Sequence, residues 1–398
     1  GPIGCSYYAW KTRRNKGKTM KGQNNFLNHA FSTDMQDSDV VFGGEKKLEK
    51  AIEEAVELFD PGAIGIYATC PIGLIGDDIS AVAKKAKEKY NIPVLSFDCE
   101  GYKGVSQSAG HHIANNEFMK DLIGTRDRET EKYSVNILGE YNIGGDAWEI
   151  TRVLEKIGYE VVSVMTGDSS FKDIQSSHEA DLDLVMCHRS INYIAEMFEE
   201  KYGIPWLKIN FIGPDAMSKS LRDMAKYFGD EELIKKTEAV IEEELAEIDE
   251  ELDQYKEMCD GKTAITFVGG SRSHHYQNLF RRIGIEPVAV GYEFAHRDDY
   301  EGREIIPEIK ETADDKNIPE LEVSKDDKKY QLRMSKEKLE ELKKEIPLEE
   351  YEGLIKEVKN GNYVIDDYNH HETVKLIEEL DPDLYCSGIK DKYVAHKM

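Results

Sequence analysis

Short apolar runs alternate along the chain with longer stretches in which apolar residues recur every three or four positions. One unit comes back repeatedly. An amphipathic stretch ends at Tyr or Gly, an Ile-Pro or similar pair follows, then an apolar run, then a polar loop. Lys89-Tyr90-Asn91-Ile92-Pro93-Val94-Leu95 and Lys201-Tyr202-Gly203-Ile204-Pro205-Trp206-Leu207 are the clearest copies. Lys156-Ile157-Gly158-Tyr159-Glu160-Val161-Val162 and Gly284-Ile285-Glu286-Pro287-Val288-Ala289-Val290 are looser ones. Runs of strand length fall at 62–69, 93–98, 134–140, 159–165, 182–187, 204–210, 262–269, 286–292, 362–367 and 382–387. Helical periodicity between successive runs predicts βα crossovers, hence parallel sheets with helices on both faces. The irregular period excludes a solenoid. These runs are too many for one comfortable sheet. The predicted fold is α/β, with two or three Rossmann-like domains of parallel sheet flanked by helices. Break points near Gly144-Gly145-Asp146 and near 260 divide the chain into 1–143, 144–260 and 261–398.

Two stretches depart from this rhythm. Residues 231–259 form the longest helical pattern, with Ile241, Leu245, Ile248, Leu252 and Tyr255 in a 4-3-4-3 spacing. A single stripe on a long helix predicts packing against its own domain, with a coiled-coil partner as the alternative. Residues 301–361 are rich in Lys, Glu and Asp and read as an inserted, charged surface module, part helix and part loop, within the third domain.

Composition narrows the function classes. The chain has 398 residues and a net charge of −26. An acidic balance of this size argues against nucleic-acid binding, which calls for a basic face. It fits a cytoplasmic enzyme, or a docking partner for a complementary positive patch. No run of about 18 apolar residues spans a membrane, and no signal peptide is visible. The six cysteines are scattered, so they read as reduced thiols, some available as ligands. The chain begins at Gly1 with Cys5 already inside a motif and stops at Lys397-Met398, so it reads as a fragment of a longer protein.

Cys5 and Cys70 stand in glycine-rich turns, and Cys187 ends an apolar run. Iron–sulfur clusters need thiolates, because soft sulfur ligands hold iron and tune its potential. The close cysteine spacings of ferredoxins are missing, so the thiols would have to meet in space. Loops at the carboxyl ends of parallel strands do converge in this way. Each cysteine taken alone also fits a small buried apolar residue, and Cys99, Cys259 and Cys386 keep that reading. His111 and His112 follow Ala109-Gly110 at the start of a predicted helix, so one should point inward and the other away. An inward imidazole serves as hydrogen-bond or proton donor near neutral pH, or else packs in a core. Gly269-Gly270-Ser271-Arg272 is a strand-to-helix turn able to cradle an anion. His274-His275 and His370-His371 lack suitably spaced partners for a metal.

Longer strings carry a family resemblance. They are Gly4-Cys5, Arg13-Arg14-Asn15, Phe42-Gly43-Gly44, Cys70-Pro71-Ile72-Gly73-Leu74-Ile75-Gly76-Asp77-Asp78, Gln107 to His112, Gly139-Glu140-Tyr141-Asn142-Ile143-Gly144-Gly145-Asp146-Ala147-Trp148, Cys187 to Tyr193, and Tyr292-Glu293-Phe294-Ala295-His296. Together they resemble the α chains of nitrogenase molybdenum–iron proteins, and the 301–361 insertion is similar to that of the clostridial type.

The resemblance implies a catalytic subunit that reduces N2 to ammonia. Electrons would enter from an iron protein that hydrolyses MgATP, with reduced ferredoxin or flavodoxin as their source. It implies an α2β2 heterotetramer with a β chain. It also implies two metal centres, a P-cluster [8Fe-7S] and an iron–molybdenum cofactor with homocitrate. Cys5 and Cys70 match P-cluster thiolates, and Cys187 matches the thiolate on the cofactor's terminal iron. His111 and Gln107 match groups beside the cofactor's substrate-binding face. Arg13, Arg189 and Arg272 match cations around the cofactor, and Lys390 a lysine near homocitrate. Phe42 matches a residue where the reductase docks. A third P-cluster cysteine would precede Gly1, and the histidine on molybdenum would follow Met398. His188 stands where many relatives have Tyr, and Ser271 and Ser273 where many have Leu and Pro. The MgATP chemistry belongs to the partner, since this chain has no GxxxxGK[ST] loop. A cofactor-assembly scaffold is the alternative, against which Gln107-His111-His112 speaks. A nucleotide-binding Rossmann protein lacks support, because no GxGxxG follows a strand.

Overall fold

A computed structural model describes residues 1–5, 30–103, 107–142, 144–165, 167–186, 190–268, 272–292, 300, 318, 320–350, 353–366, 369–388 and 391–397. Its strands are β1 (Ile64–Tyr67), β2 (Val94–Phe97), β3 (Ser134–Leu138), β4 (Glu160–Val164), β5 (Leu182–Val185), β6 (Trp206–Lys208), β7 (Thr263–Phe267), β8 (Glu286–Tyr292), β9 (Tyr363–Asp366) and β10 (Leu384–Ser387). Each lies within one of the apolar runs read from the sequence. The helices are α1 (Asp37–Phe42), α2 (Glu45–Phe59), α3 (Cys70–Ile75), α4 (Ile79–Tyr90), α5 (Gln107–Asp121), α6 (Asp146–Ile157), α7 (Phe171–Gln175), α8 (Ser190–Tyr202), α9 (Pro214–Phe228), α10 (Glu231–Cys259), α11 (Arg272–Arg282), α12 (Lys336–Leu342), α13 (His370–Leu380) and α14 (Lys392–Ala395).

The repeating sequence unit is a helix stop. Asn91, Gly158, Gly203 and Gly284 all have positive φ, between 53° and 117°. A residue in this left-handed conformation just past the last turn lets its N–H close on a helix carbonyl, as Asn91 does on Lys87 at 3.0 Å. The proline two or three residues later in three of the copies cannot continue a helix and commits the chain to extended backbone. The next strand then begins.

The strands assemble into three sheets, ordered β1-β2, β4-β3-β5-β6 and β10-β7-β8-β9. Every strand pairing within them is parallel. β3 is buried at all five positions, and its one amide, Asn136, is fully used. Asn136 Nδ2 donates to Ser177 O at 2.8 Å and to Asp183 Oδ1 at 2.7 Å, and its Oδ1 accepts from Ser163 Oγ at 2.8 Å. This polar ladder ties β4, β3 and β5 together and pins their register, since an unpaired amide here would cost about 1–3 kcal/mol.

The second sheet draws on strands from both sides of 143/144. β3 lies before that point yet pairs with β4 and β5, so the break falls inside the second sheet. The physical reason is a shared core: Leu95 and Phe97 of β2 pack in one cluster with Met119 and Leu122 around α5, Leu138, Val185, Phe198 and Trp206. The insertion also packs on the body of the fold. The segment 320–350 is not a purely solvated module. Ile346 and Leu348 belong to the core beneath the second sheet, Leu321 and Val323 pack on the core around α5 and α8, and Leu348 bridges Leu207 in antiparallel fashion. β6 is the open edge of its sheet, and unpaired strand edges favour cover. Residues 301–317 lie outside the described part. The long helix α10 buries Leu233, Thr237, Val240 and Ile241 in its first half, while Ile248, Tyr255 and Met258 further along are exposed. Its own domain therefore covers only half of the stripe. Among the described residues no helix is long and apolar enough to cross a membrane.

Candidate functional site

Two loop clusters carry the candidate residues. The first stands at the carboxyl end of β1. Cys70 opens α3, three residues after the strand, and is half-buried. A Cβ on Gly101 would stand 3.3 Å from Cys70 Sγ, and one on Gly73 would meet Tyr102 Oη at 2.3 Å and Glu100 Oε1 at 2.4 Å. Both glycines keep side-chain atoms away from the thiol's surroundings. Residues 1–5 lie against the same loop. The Gly1 amine donates to Thr33 Oγ1 at 2.7 Å, Met35 N donates to Gly1 O at 3.2 Å, and a Cβ on Gly1 would overlap Thr69 Oγ1 at 2.2 Å. The exposed Cys5 is thus carried on a segment packed against the residue before Cys70. Both thiols are free. Cys5 and Cys70 are two thiols of the kind that ligate iron–sulfur centres, which take about four such ligands. Cys99 sits nearby but differs in chemistry. Its Sγ donates to Ala68 O at 3.5 Å, and burial pushes the thiol up to about 11, so it stays protonated.

The second cluster faces the ends of β2, β3 and β5. Adjacent residues on a helix point about 100° apart, and α5 separates its two histidines accordingly. His112 is buried with its ring 4.1 Å from that of Tyr193. His111 is half-buried and stacks on Tyr141, with ring centroids 5.3 Å apart at 19°, and the Tyr141 hydroxyl lies 3.2 Å from its ring nitrogens. Gln107 opens the same helix four residues earlier. Tyr141 is a partner that residue-type reasoning missed. It follows β3 in a turn built by Glu140, which is fully buried and accepts the N–H of Asn142 at 2.8 Å while Asn142 adopts φ 50°. A buried carboxylate two residues from an Asn in left-handed conformation was the available signal. β5 ends at Val185, two residues before Cys187.

Cys187 itself, Arg13, Arg189 and Lys390 lie outside the described residues, as do the side chains of Gln107 and Arg272. Their neighbours are informative. α11 begins at Arg272, past the carboxyl end of β7, and is stapled there by Ser273, whose hydroxyl donates to Gly291 O at 2.6 Å and accepts from Val268 N at 3.1 Å. Asp391, next to Lys390, is a hub for the Tyr385 hydroxyl at 2.8 Å, the Ser387 hydroxyl and His370 Nδ1 at 3.1 Å. His370 is thereby a partner of this hub. His274 and His275 are buried in the third unit, and burial holds His274 well below the usual imidazole range, so it is neutral. Phe42 is 87% exposed at the end of α1.

Parallel sheets with Cys70 and the half-buried His111 just past the carboxyl ends of their strands give the chain the α/β architecture in which such segments converge on one site. The family description for nitrogenase component 1 type oxidoreductases matches residues 1–398, and the chain belongs to that family. It is similar to the nitrogenase molybdenum-iron protein alpha chain of Clostridium pasteurianum, with 59% identity over 399 residues, covering all of this chain and 75% of that one. The alpha chain of Methanosarcina barkeri is 54% identical over 398 residues, again at 75% of its length. That of Herbaspirillum seropedicae is 37% identical over 407 residues, at 73%. The solved structure of nitrogenase Cp1 at pH 6.5 superposes with a TM-score of 0.95 at 58% identity, covering all of this chain and 77% of its own.

Proposed function

We infer that this chain is the catalytic α subunit of a molybdenum–iron nitrogenase. It works in an α2β2 tetramer with a β chain and is reduced by an ATP-hydrolysing iron protein. The observation that carries this reading is likeness to such α chains along the entire chain. Nothing favours the assembly-scaffold alternative. A cytoplasmic location accompanies the reading.

In this reading the loop cluster at β1 serves the P-cluster, held from this side by Cys5 and Cys70, and Cys187 holds the iron–molybdenum cofactor with homocitrate. When bound, these centres supply electron storage and the site at which dinitrogen is reduced. The chain's own residues do the rest. Tyr141, fixed by the buried Glu140 turn, sets the ring plane of His111 and so the direction of its N–H. An imidazole offers a ring N–H that can donate a hydrogen bond or pass on a proton, which suits a repeated protonation role. Gln107, four residues before His111 on α5, is assigned to the same face. Arg13, Arg189 and Arg272 are assigned to balance anionic charge, as guanidinium groups do with several donors at once, and Lys390 to homocitrate. The Asp391 hub and the Ser273 staple fix the backbone beside two of these cations.

The full-length α chain, produced with its β partner, tests the assignment. Cys187→Ala should abolish molybdenum retention while the iron of the P-cluster stays, read by metal analysis and EPR spectroscopy. Unchanged molybdenum content would overturn the Cys187 assignment. His111→Gln should retain molybdenum and lose dinitrogen reduction far more than proton reduction. A site emptied by His111→Gln would make His111 structural instead.

A further inference from the structure

The segment 320–350 grips α8 at both ends. At the C-terminal end, Arg333 gathers four backbone carbonyls. Nη1 donates to Tyr202 O at 2.8 Å and Gln331 O at 2.9 Å, Nη2 to His178 O at 2.8 Å, and Nε to Ala180 O at 3.2 Å. Tyr202 closes α8, where carbonyls lack helical partners and the helix dipole is negative, so a cation is favoured there. Main-chain bonds add to this hold: Asp326 N to Lys201 O at 3.0 Å and Gln331 N to Tyr202 O at 3.1 Å. The crossing is close. Gly203 has φ 75°, and a Cβ there would stand 2.5 Å from Gln331 O. Beside it, Asp127, His178 and Glu179 are spaced like metal ligands, but a cation of the chain already serves them. The Lys329 ammonium pairs with Asp127 and lies 3.5 Å from His178 Nε2. Beyond α8 the segment continues onto β6, with Lys208 N donating to Pro347 O at 3.2 Å and Glu349 N to Trp206 O at 2.9 Å.

Nearer the N-terminus of α8, Leu321 N donates to the Tyr193 hydroxyl at 2.8 Å. That hydroxyl donates in turn to Asn116 Oδ1 on α5 at 2.8 Å, and the Tyr193 ring lies on His112. We propose that residues 320–350 are a positioning strap that fixes α8 and, through Tyr193, the helix α5 that carries His111. Arg333 is the anchoring residue. The last link, from α5 to reactivity, rests on the reading of His111 given above; the strap itself does not. Lysine cannot replace the anchor, because an ammonium lacks the planar fork that reaches several carbonyls at once.

Hydrogen exchange on the full-length chain, assembled with its partner subunit, decides the matter. In Arg333→Ala, peptides from α8 should exchange roughly tenfold faster and those from α5 a few-fold faster, while α10 stays as in the parent. The EPR line of the bound cofactor should broaden at unchanged molybdenum content, and Arg333→Lys should restore only part of the protection. Tyr193→Phe keeps the ring on His112 and removes only the hydroxyl link. It should loosen α5 while leaving the C-terminal turn of α8 protected, and it remains readable if Arg333→Ala does not accumulate. Unchanged α8 protection in Arg333→Ala, or unchanged α5 protection in Tyr193→Phe, would overturn the strap. Neither readout depends on what His111 does, so failure of the catalytic reading is seen separately in His111→Gln.

Discussion

The first and second sheets face opposite problems. The second has four strands, an uninterrupted buried β3, a buried polar ladder through Asn136 and a strap over its edge. The first has only β1 and β2, and the surfaces around it leave apolar groups in solvent: Phe42, Leu74 at 76% exposure, Tyr102 and Ile3. A two-stranded sheet is marginal without cover, and exposed apolar groups around it are candidates for such cover. The half built on the second sheet completes itself, while the half around the first leaves apolar side chains in solvent. The cysteines assigned to the cluster shared with the β chain lie on the incomplete half. That is where a centre bridging two subunits belongs.

The contrast can be broken in graded ways. The largest effect should come from Trp206→Ala, which removes a fully buried indole beneath the second sheet. It should lower the unfolding free energy by about 3–5 kcal/mol in urea titrations; a loss no greater than that of Leu74→Ala would erase the distinction between the halves. Next comes Asp183, buried in β5 with its carboxyl pushed up to about 8 by burial. Its unfolded value is about 4, so the folded chain keeps a proton that the unfolded chain releases, and stability falls as pH rises between these values. Asp183→Asn should flatten that fall, gaining most over the parent near about pH 8 and least near about pH 5. Parallel stability curves for the two proteins would show that Asp183 does not titrate as described.

A smaller and more selective effect is expected on the open half. Leu74→Asp should weaken association with the β partner by about tenfold or more, equivalent to ~1.4 kcal/mol, while leaving the melting temperature of the isolated α chain nearly unchanged. Sedimentation would read the first and calorimetry the second, and a large drop in melting temperature would mean that Leu74 serves the fold of this chain. Smallest of all is Glu244→Gln. Glu244 takes Arg152 at 2.5 Å and Lys156 at 2.7 Å across α6 and α10, and these contacts hold its carboxyl down to about 2. Its cationic partners are more exposed, Arg152 at 46%, so the loss at neutral pH should stay below about 1 kcal/mol and shrink in high salt.

Much of this architecture was legible in one dimension. The helix stops at Asn91, Gly158, Gly203 and Gly284 are local events, because a left-handed residue ends a helix whatever surrounds it. The strand runs were legible because a parallel sheet buried on both faces demands near-continuous apolar sequence. The candidate thiols and His111 stood out in order along the chain, though their roles came from family resemblance rather than from spacing.

Other features depended on which surfaces meet. The charged composition of 301–361 predicted a solvated module, yet Arg333, Ile346 and Leu348 are anchored in the body of the fold. A guanidinium shared among carbonyls from three separate elements has no sequence period, so nothing local announces it. The assignment of β3 to the second sheet, the stacking of Tyr141 on His111 and the carboxylate hub at Asp391 are of the same kind. The sequence by itself determined the elements, their parallel connection and the order of the reactive residues, since these follow from backbone conformation and burial period. Only the tertiary structure decided which edge the strap covers, which histidine faces Tyr141 and which thiol has room around it, because those are contacts between residues 30 to 150 positions apart.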